Sequence, residues 1–534
     1  QHQMVHYLFE YEPKKTGEHN YFYDSINMFK RLENIALEKD GMAVNPTRIE
    51  WSCNGNGIDV LEQERRISPN IYQNFPFVGD FNGDGYSDLA IVPFKGDTLY
   101  YPNNIDINIH FNKGGVDSVF YGTPGVSIPN VDKTLDWIYV LDINDDGFDD
   151  IITVCYDSIA TGDTTKIMVY KNTNGTGFTP AWTQPLWFSS KALITIGDFE
   201  GTGKQGFIAC ALKYVNDTPK LSNFTYVHCE NGWCFTDPVN PSNGLGYILG
   251  VYQIASGDFG GRGHTDLLFL KENASPVYGV KKINGDYCFE HRFTNTHINH
   301  PIHEGQKWSQ VFPGDYNGDG MTDLLFYGDV ENSGYWNIFY SEGTGFSQPV
   351  HVGNLSNTYL PNYELYGHSL RKVIAYPDLP HGRSYGICPA DFDGDGLTDI
   401  AVLGYENPYS SIDIYFRFKP KLNNPNEASS QSIFNHGWYN GSYGPHGNDP
   451  NHYYFGCHSQ YLHVGTFKNK GNTSFLCLEY RDSDLHHHIR RPGVFTFKSA
   501  RDLNNVKSIM DGMGNKIDLS YKWQMQPYAK YQYK

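Results

Sequence analysis

Four short segments of the chain hold oxygen-bearing side chains at the spacing that a calcium ion requires. Each reads D-x-[DN]-x-D-G-x-x-D, with oxygen ligands at positions 1, 3, 5 and 9 and a backbone carbonyl at position 7. The glycine at position 6 permits the turn that directs these groups inward. The predicted ligands are Asp80, Asn82, Asp84, Tyr86 and Asp88; Asp142, Asn144, Asp146, Phe148 and Asp150; Asp315, Asn317, Asp319, Met321 and Asp323; and Asp391, Asp393, Asp395, Leu397 and Asp399. Because hard oxygen ligands favour calcium over zinc or a redox metal, we predict about four Ca2+ sites.

An EF-hand begins with the same ligand spacing, but it needs a glutamate at position 12 and a helix on each side. Position 12 is Ile91, Thr153, Phe326 or Val402, each within a run of alternating apolar residues. The pattern therefore predicts a loop between two β-strands. A cation that fixes the turn is favoured over one that bridges to a ligand or substrate, because the motif leaves no obvious open coordination position.

Three further segments retain the turn and lose the ligands. The seven copies begin at Asp80, Asp142, Asp198, Asp258, Asp315, Asp391 and Thr466. The third copy has Glu200 and Thr202 at positions 3 and 5, the fourth has Arg262 at position 5, and the seventh has Lys468 and Lys470. A basic side chain in such a loop can hold it by its own charge. We expect no metal in the seventh copy and at most weak binding in the third and fourth.

The spacing of the copies predicts the architecture. Successive copies begin 56 to 76 residues apart, which is too long for a helical solenoid and suits a four-stranded propeller blade. The chain has 55 Gly, 28 Pro and 15% aromatic residues, as expected for many short strands joined by turns. We predict an all-β fold, a seven-bladed β-propeller of four-stranded blades with short flanking β segments.

The predicted organisation has three parts. Residues 1–70 form a lead-in β segment that ends a preceding module or supplies a ring-closing strand, residues 71–500 form the propeller, and residues 501–534 form an exit strand and tail. Strands are expected near Tyr21–Tyr23, Thr47–Trp51 and Lys516–Trp523. Pairing of the two ends would remove exposed strand edges.

The net charge and the cysteines bear on the partners and the cellular location of the chain. The formal charge of −18 argues against nucleic acid or an anionic membrane as the main partner. No run of 18 apolar residues occurs, so we expect no membrane insertion by this segment. Cys155, Cys210 and Cys477 lie in apolar runs typical of core thiols, and Cys229 and Cys234 are placed to pair across a turn. Calcium loops fill readily at extracellular calcium levels, which favours a secreted or cell-surface location.

One aromatic segment stands apart from the repeats. Between Phe434 and His463, the aromatic residues proposed as a ligand or partner face are Trp438, Tyr439, Tyr443, Tyr453 and Tyr454. Aromatic loops of this kind stack sugars, anchor a protein partner, or simply pack against a neighbouring blade, and the last is the simplest interpretation. The histidines at 297, 300 and 303 and at 486–488 favour polar loops over metal sites. No GxSxG, HExxH or P-loop motif occurs.

The repeats resemble the FG-GAP or VCBS blades of integrin-like propellers, and the flanking segments resemble a narrower family. MFKRLENIALEKDGMAVNPTRIEWS, Met28 to Ser52, and RDLNNVKSIMDGMGNKIDLSYKW, Arg501 to Trp523, are similar to segments around the propeller of the SpvB and insecticidal-toxin-complex B-component family. The matching positions are Arg31, Leu32, Ile35, Gly41, Pro46, Thr47 and Trp51, then Asp502, Leu503, Ile509, Asp511, Gly512, Gly514, Ile517 and Tyr521.

This resemblance implies a noncatalytic propeller of a secreted protein. In that family the propeller docks onto a protein partner or caps the RHS/YD-repeat shell around a toxic domain, so the implied partner is another protein or a downstream RHS/toxin region. Residues 1–534 contain neither YD repeats nor a toxin domain. Two alternatives remain open, a stand-alone adhesin or glycan-binding propeller and a calcium-dependent polysaccharide lyase. The flanking segments favour the first interpretation.

Overall fold

The structure is a computed structural model in which every described regular element is a β-strand. The described residues are 6–11, 32–39, 42–43, 47–51, 61–64, 74–93, 104–114, 119–157, 163–216, 218–230, 233–241, 246–251, 253–271, 274–295, 310–329, 334–353, 386–390, 398–406, 409–421, 424–432, 462–467, 474–477, 493–497, 506–511 and 515–519. No helix occurs among them, so the all-β prediction is confirmed.

Four-stranded antiparallel meanders follow one another along the described chain, and we number them M1 to M7. M1 contains β6 (Asn74–Gly79), β7 (Asp88–Pro93), β8 (Ile105–His110) and β9 (Val126–Val131). M2 contains β10 (Leu135–Leu141), β11 (Asp150–Asp157), β12 (Thr164–Asn172) and β13 (Phe178–Pro180), with β14 (Leu186–Phe188) also on β12. M3 contains β15 (Lys191–Gly197), β16 (Gly206–Val215), β17 (Thr218–Glu230) and β18 (Trp233–Asn240), with β19 (Tyr247–Leu249) also on β17.

The remaining meanders repeat the pattern. M4 contains β20 (Gln253–Gly257), β21 (Asp266–Leu270), β22 (Ser275–Ile283) and β23 (Asp286–Asn295), and M5 contains β24 (Gln310–Gly314), β25 (Asp323–Asp329), β26 (Gly334–Phe339) and β27 (Val350–Gly353). M6 contains β28 (Gly386–Ala390), β29 (Asp399–Glu406), β30 (Tyr409–Lys421) and β31 (Asn424–Ser432). Short parallel pairings of β18 with β23 and of β27 with β31 join the outer strands of M3 to M4 and of M5 to M6.

M7 differs because its fourth strand comes from the other end of the chain. It consists of β32 (Leu462–Gly465), β33 (Ser474–Cys477) and β34 (Gly493–Phe497), and β5 (Leu61–Glu64) pairs antiparallel with β34. Gln63 lies opposite Phe495 in this register. A segment that precedes M1 in sequence therefore completes the sheet that follows M6.

A separate sheet joins the two flanking segments. It contains β1 (His6–Tyr11), β2 (Leu32–Lys39), β3 (Met42–Ala43), β4 (Thr47–Trp51), β35 (Val506–Met510) and β36 (Lys516–Asp518). Ile49 of β4 lies opposite Ile509 of β35. Strands thus occur at two of the three predicted flanking positions, and the third, Tyr21–Tyr23, lies outside the described residues.

Apolar side chains fill the space between successive meanders. Representative members of these clusters are Ile107 and Ile138 for M1 and M2, Ile152 and Val227 for M2 and M3, Tyr226 and Phe269 for M3 and M4, Leu268 and Leu324 for M4 and M5, and Leu476 and Leu89 for M7 and M1. Burial of one large side chain of this kind contributes about 1.5–3 kcal/mol. The sheets are therefore held face to face, and the last described sheet packs against the first.

Cysteines follow the predicted pattern where they are described. Cys155 and Cys210 are buried free thiols, and burial raises the pKa of each thiol to about 12. Cys229 and Cys234 form a disulfide across the β17–β18 hairpin. The side chain of Cys477 lies outside the description.

Candidate metal-binding loops

Three of the four predicted calcium loops lie within the described residues. They span 80–88 in M1, 142–150 in M2 and 315–323 in M5, and each joins the first strand of its meander to the second. Ile91, Thr153 and Phe326, at position 12, lie inside strands β7, β11 and β25, as the loop-between-strands prediction requires. For the fourth loop, the ligand positions from Asp391 to Leu397 and the side chain of Asp399 lie outside the description.

The first loop shows how the ligand side chains are positioned. Asp80 accepts hydrogen bonds from the backbone N–H groups of Asp84, at 3.0 Å, and Gly85, at 2.9 Å. Asn82 Oδ1 accepts from Asp84 N at 2.9 Å, and Asp84 Oδ1 accepts from Tyr86 N at 2.8 Å. Gly85 has a φ of 86°, a left-handed conformation that favours glycine. The side chains at positions 1, 3 and 5 therefore turn inward over their own loop.

The same bonds recur in the other two loops. Asp142 accepts from Gly147 N at 2.8 Å, and Asp315 accepts from Gly320 N at 2.9 Å. Gly147 and Gly320 have φ values of 89° and 83°. The motif spacing thus specifies one local geometry at three places in the chain.

The aspartates at position 9 connect each loop to the third strand of its meander. Asp88, Asp150 and Asp323 are fully buried, and one oxygen of each accepts a backbone N–H near the end of that strand. The donors are Asn112 for Asp88 at 2.7 Å, Asn172 for Asp150 at 2.6 Å and Ser341 for Asp323 at 2.8 Å. The side chains of these donors also bond to carbonyls of the preceding copy, at Phe467, Phe81 and Phe259.

Burial of these carboxyl groups makes their ionisation costly without a positive charge. Desolvation raises the pKa of Asp88, Asp150 and Asp323 well above the usual range, and repulsion from neighbouring carboxylates adds to the effect. The pKa of Asp315 is raised to about 6, also mainly by desolvation. A divalent cation would offset both effects. Three carboxylates, one amide oxygen and one carbonyl therefore fit a hard cation such as calcium.

In the fourth copy, basic side chains of the chain itself lie beside the buried carboxylate. Asp266, at position 9, lies 3.4 Å from Arg292 Nε and 3.6 Å from His264 Nδ1. The guanidinium of Arg262 lies against Gly260, 3.2 Å from where a β-carbon would stand. A positive side chain thus covers position 3, where the other loops have an oxygen ligand, in keeping with the expected structural substitution.

The third copy retains the turn but directs its acid elsewhere. Asp198 accepts from Gly203 N at 2.6 Å, whereas Glu200 accepts a hydrogen bond from the Tyr287 hydroxyl at 2.7 Å. In the seventh copy, Lys468 and Lys470 lie outside the described residues.

Sequence reasoning missed a second function of the loops, which is to connect neighbouring meanders. The residue at position 8 accepts the backbone N–H of position 1 in the preceding copy through its side-chain oxygen, and it donates its own N–H to that residue's carbonyl. We name this reciprocal pair the clasp. The clasps are Asp149 with Asp80, Thr265 with Asp198, Thr322 with Asp258, Thr398 with Asp315, and Ser87 with Thr466, at 2.6–3.0 Å. The Ser87–Thr466 clasp links the seventh copy to the first.

A glycine before position 1 makes room for each clasp. At Gly257, an added β-carbon would stand 2.4 Å from Thr322 Cγ2, which no real side chain tolerates. The equivalent glycines are Gly79, Gly197, Gly314 and Gly465. The clasps could have been predicted from the sequence, because this glycine recurs together with Ser, Thr or Asp at position 8.

We expect Thr322→Val to lower the free energy of unfolding by about 1–3 kcal/mol, because the buried N–H of Asp258 loses its acceptor while side-chain volume is kept. Gly257→Ala should destabilise the chain through the steric contact with Thr322. Urea unfolding measures both. Thr294→Val, on an exposed residue of β23, is the matched control and should change stability by less than about 0.5 kcal/mol. Equal effects of Thr322→Val and the control would contradict the clasp.

Comparison with known proteins gives only distant similarities. No protein-family model matches the chain, and no curated protein matches it. Among solved structures, an Agrocybe aegerita lectin that recognises non-reducing terminal N-acetylglucosamine has a TM-score of 0.43 and 15% identity, covering 68% of this chain and 81% of the lectin. The exotype rhamnogalacturonan lyase YesX has a TM-score of 0.39 and 10% identity, covering 87% of this chain and 79% of the lyase.

The toxin-complex structure TcdB2-TccC3 is a third similar structure, with a TM-score of 0.22 and 11% identity. The match covers 95% of this chain and 24% of that much longer one. All three TM-scores lie below 0.5, so we base neither fold nor function on them.

Two sequence predictions remain outside the structural description. The aromatic ligand or partner face lies in residues 433–461, which are not described. The histidines at 297, 300 and 303 and at 486–488 lie in residues 296–309 and 478–492, which are also outside the description. Within the described part of the chain, no helix has the length and apolar character needed to cross a membrane.

Proposed function

We propose that M1 to M7 are the seven blades of a calcium-stabilised β-propeller. The first strands of several successive meanders lie side by side, and β32 of M7 lies beside β6 of M1. One apolar cluster and the Ser87–Thr466 clasp connect M7 to M1. The β5–β34 pairing connects M7 to the segment that precedes M1 in sequence. Radial repetition of this kind leaves only short, protected sheet edges. Residues 71–500, with β5 added, form this ring, and residues 1–70 and 501–534 flank it.

We further propose that the ring is a noncatalytic docking or encapsulation module of a secreted or cell-surface protein related to RHS and toxin-complex proteins. The observation that carries this proposal is the shared flanking sheet. Met28–Ser52 contains β2 and β4, Arg501–Trp523 contains β35 and β36, and β4 pairs with β35. The two segments that resemble the SpvB-like family are thus the two that meet in space, although they lie at opposite ends of the chain.

This arrangement suits a docking module. Because the chain enters and leaves the ring through one paired sheet, the loops on the ring's faces stay available to a partner, and a rigid closed ring presents them without reorganisation. The partner we propose is a protein surface, supplied by a downstream RHS/toxin region of the same polypeptide or by a separate chain. The net charge of −18 makes nucleic acid an unfavourable partner.

The intact mass of the native polypeptide tests the proposal most directly. A long continuation rich in YD-type repeats, which binds residues 1–534 when supplied as a separate chain, is the expected result. A native chain that ends near Lys534 would contradict encapsulation. Release of an unsaturated sugar from polyuronide substrates, followed by ultraviolet absorbance, would contradict the noncatalytic assignment.

A glycan-binding propeller is the second candidate, and exposed indole rings favour it. Trp233 is 74% exposed and Trp187 is 54% exposed, and large rigid aromatic surfaces of this kind stack on sugar rings. Binding of the chain to a glycan array, lost in Trp233→Ala, would favour this function over protein docking.

If the aromatic segment between Phe434 and His463 is the binding face, Trp438→Ala should weaken binding to the protein partner by about 10-fold or more, because interface tryptophans commonly act as hot spots. Its melting temperature should stay at the wild-type value. Binding is measured by calorimetric titration and stability by thermal melting, with Tyr214→Ala, at an exposed aromatic residue of β16, as the control. A large loss of stability in Trp438→Ala would instead favour packing of this residue against a neighbouring blade.

A further inference from the structure

A cluster of a different composition lies beside the third copy of the loop. Glu200 belongs to that loop, and His228 and Glu230 lie on β17. One nitrogen or oxygen ligand atom of each residue lies within 4.8 Å of the others. We propose that these three side chains bind a zinc-type divalent transition metal ion, at a site separate from the calcium loops.

The imidazole of His228 is the group that points to a metal. Its side chain is 9% exposed, and Nε2 lies 3.0 Å from Asp237 Oδ2. A carboxylate only accepts, so Nε2 donates the hydrogen of this bond, and Nδ1 is the ring nitrogen that remains for a metal ion. Nδ1 is buried and has no hydrogen-bond partner among the described residues. A metal-ligating histidine commonly donates its other ring N–H to a carboxylate in the same way.

Neighbouring rings hold this imidazole in place. Tyr226 stacks on it with centroids 4.8 Å apart, Phe235 stacks at 5.7 Å, and Tyr287 meets it edge-on at 5.8 Å. An orphaned buried nitrogen costs free energy, and rings that fix its orientation prevent it from turning to solvent. A ligand at Nδ1 would offset that cost.

Different parts of the structure place the two glutamates beside His228. The Tyr287 hydroxyl donates to Glu200 Oε1 at 2.7 Å and lies 3.3 Å from Lys282 Nζ, which holds Glu200 away from its own loop. Glu230 follows His228 by two residues on one strand, so both share a face of β17. The Cys229–Cys234 disulfide lies between them on the opposite face and fixes the hairpin.

The donor set distinguishes this site from the calcium loops. One imidazole with two carboxylates suits zinc and related transition metals, and it leaves a position for water or a ligand group. Metal–ligand bonds of about 2.0–2.1 Å place ligand atoms roughly 3.3 Å apart in a tetrahedral site, so the present separations close by small side-chain rotations. The metal would connect the third loop to β17. This loop lacks the calcium ligand set, because Thr202 and Gly206 replace the aspartates at positions 5 and 9.

The test is a calorimetric zinc titration of the full 1–534 chain, free of any tag, with calcium in excess throughout. The three histidines at 486–488 are replaced by asparagine in every sample, because consecutive histidines bind zinc on their own. We expect one zinc equivalent, lost in His228→Gln and weakened at least about 10-fold in Glu200→Gln and in Glu230→Gln. Cobalt substitution should give the intense visible absorption of a four-coordinate site.

His291→Gln, which removes an exposed histidine of β23, is the matched control and should bind zinc as the parent does. Glu200 and Glu230 are exposed, so their glutamine variants should keep the fold, which near-ultraviolet circular dichroism checks. Unchanged zinc stoichiometry and affinity in His228→Gln would overturn the proposal. Loss in His228→Gln with no change in either glutamate variant would also overturn the three-ligand site. Because calcium is always present, these outcomes are independent of the calcium loops.

Discussion

Removal of calcium should lower the melting temperature of the chain by roughly 10 °C or more. A ligand that binds only the folded state at 100 times its Kd contributes about 2.7 kcal/mol per site, and three described loops have the required ligand set. The loops also carry the clasps, so loss of the cation loosens contacts between meanders as well as within them. Scanning calorimetry in excess calcium and in excess EDTA measures the effect. Identical melting temperatures in the two conditions would contradict the proposal that calcium stabilises the folded chain.

Substitutions of predicted ligands separate the effect of the loops from general effects of chelation. Asp84→Ala combined with Asp395→Ala should reproduce part of the EDTA effect and make the melt less sensitive to calcium. Thr202→Ala changes the same position 5 in the third copy, which lacks the calcium ligand set, and it is the matched control. Equal loss of calcium sensitivity in the control would contradict the assignment of ligands.

The pH dependence of stability should have opposite signs with and without calcium. In EDTA, the folded-state pKa of Asp315 is about 6 against 3.8 for the ordinary group, and those of Asp88, Asp150 and Asp323 are raised as well. The folded state then binds more protons than the unfolded state, so stability falls as pH rises from about 4 through the folded pKa values. In calcium, ionised carboxylates are needed for binding, so stability rises over the same range. If stability changed with pH in the same direction in EDTA and in calcium, this coupling of proton and calcium binding to folding would be contradicted.

The sequence predicted what is encoded locally. Ligand spacing within nine residues, the glycine at position 6 and the alternating run after each loop are all short-range features, and the described loops follow them. Asp84, Asp146 and Asp319 are each within reach of their own loop backbone, so no distant partner was needed to place them.

Long-range pairings could not be predicted in the same way. Thr398 and Asp315 are 83 residues apart, and nothing in either copy alone identifies the other as its partner. The His228 cluster was missed because its three residues come from a loop and a strand that share no spacing rule. Glu200 was interpreted only as a weakened loop ligand, although the distant Tyr287 directs its carboxylate toward β17.

Deletion of the closing strand is the second large effect that we expect. A chain that starts at residue 66 lacks β5, so β34 of M7 loses its only described outer neighbour. The Ser87–Thr466 clasp and the Leu89–Leu476 cluster then remain to hold M7 to M1. Four residue pairs are lost, and net contributions of about 0.5–1.5 kcal/mol per hydrogen bond give a loss of several kcal/mol. The exposed edge of β34 should also promote self-association, because unpaired strand edges template pairing with other chains.

The matched control is a chain that starts at residue 56. It loses β1 to β4 and the shared flanking sheet but keeps β5. Because β35 loses its partner β4 in both chains, the effect of β5 is the difference between them, and the 66-start chain should show the larger drop in melting temperature and the stronger self-association in analytical ultracentrifugation. In the full chain, Glu62→Cys combined with Thr496→Cys places two cysteines opposite each other in the β5–β34 register, and their oxidation should raise the melting temperature, since the cross-link closes a very long loop. Equal melting temperatures for the two truncated chains would show that β5 does not close the ring, and M7 would then have to be stable as a three-stranded sheet.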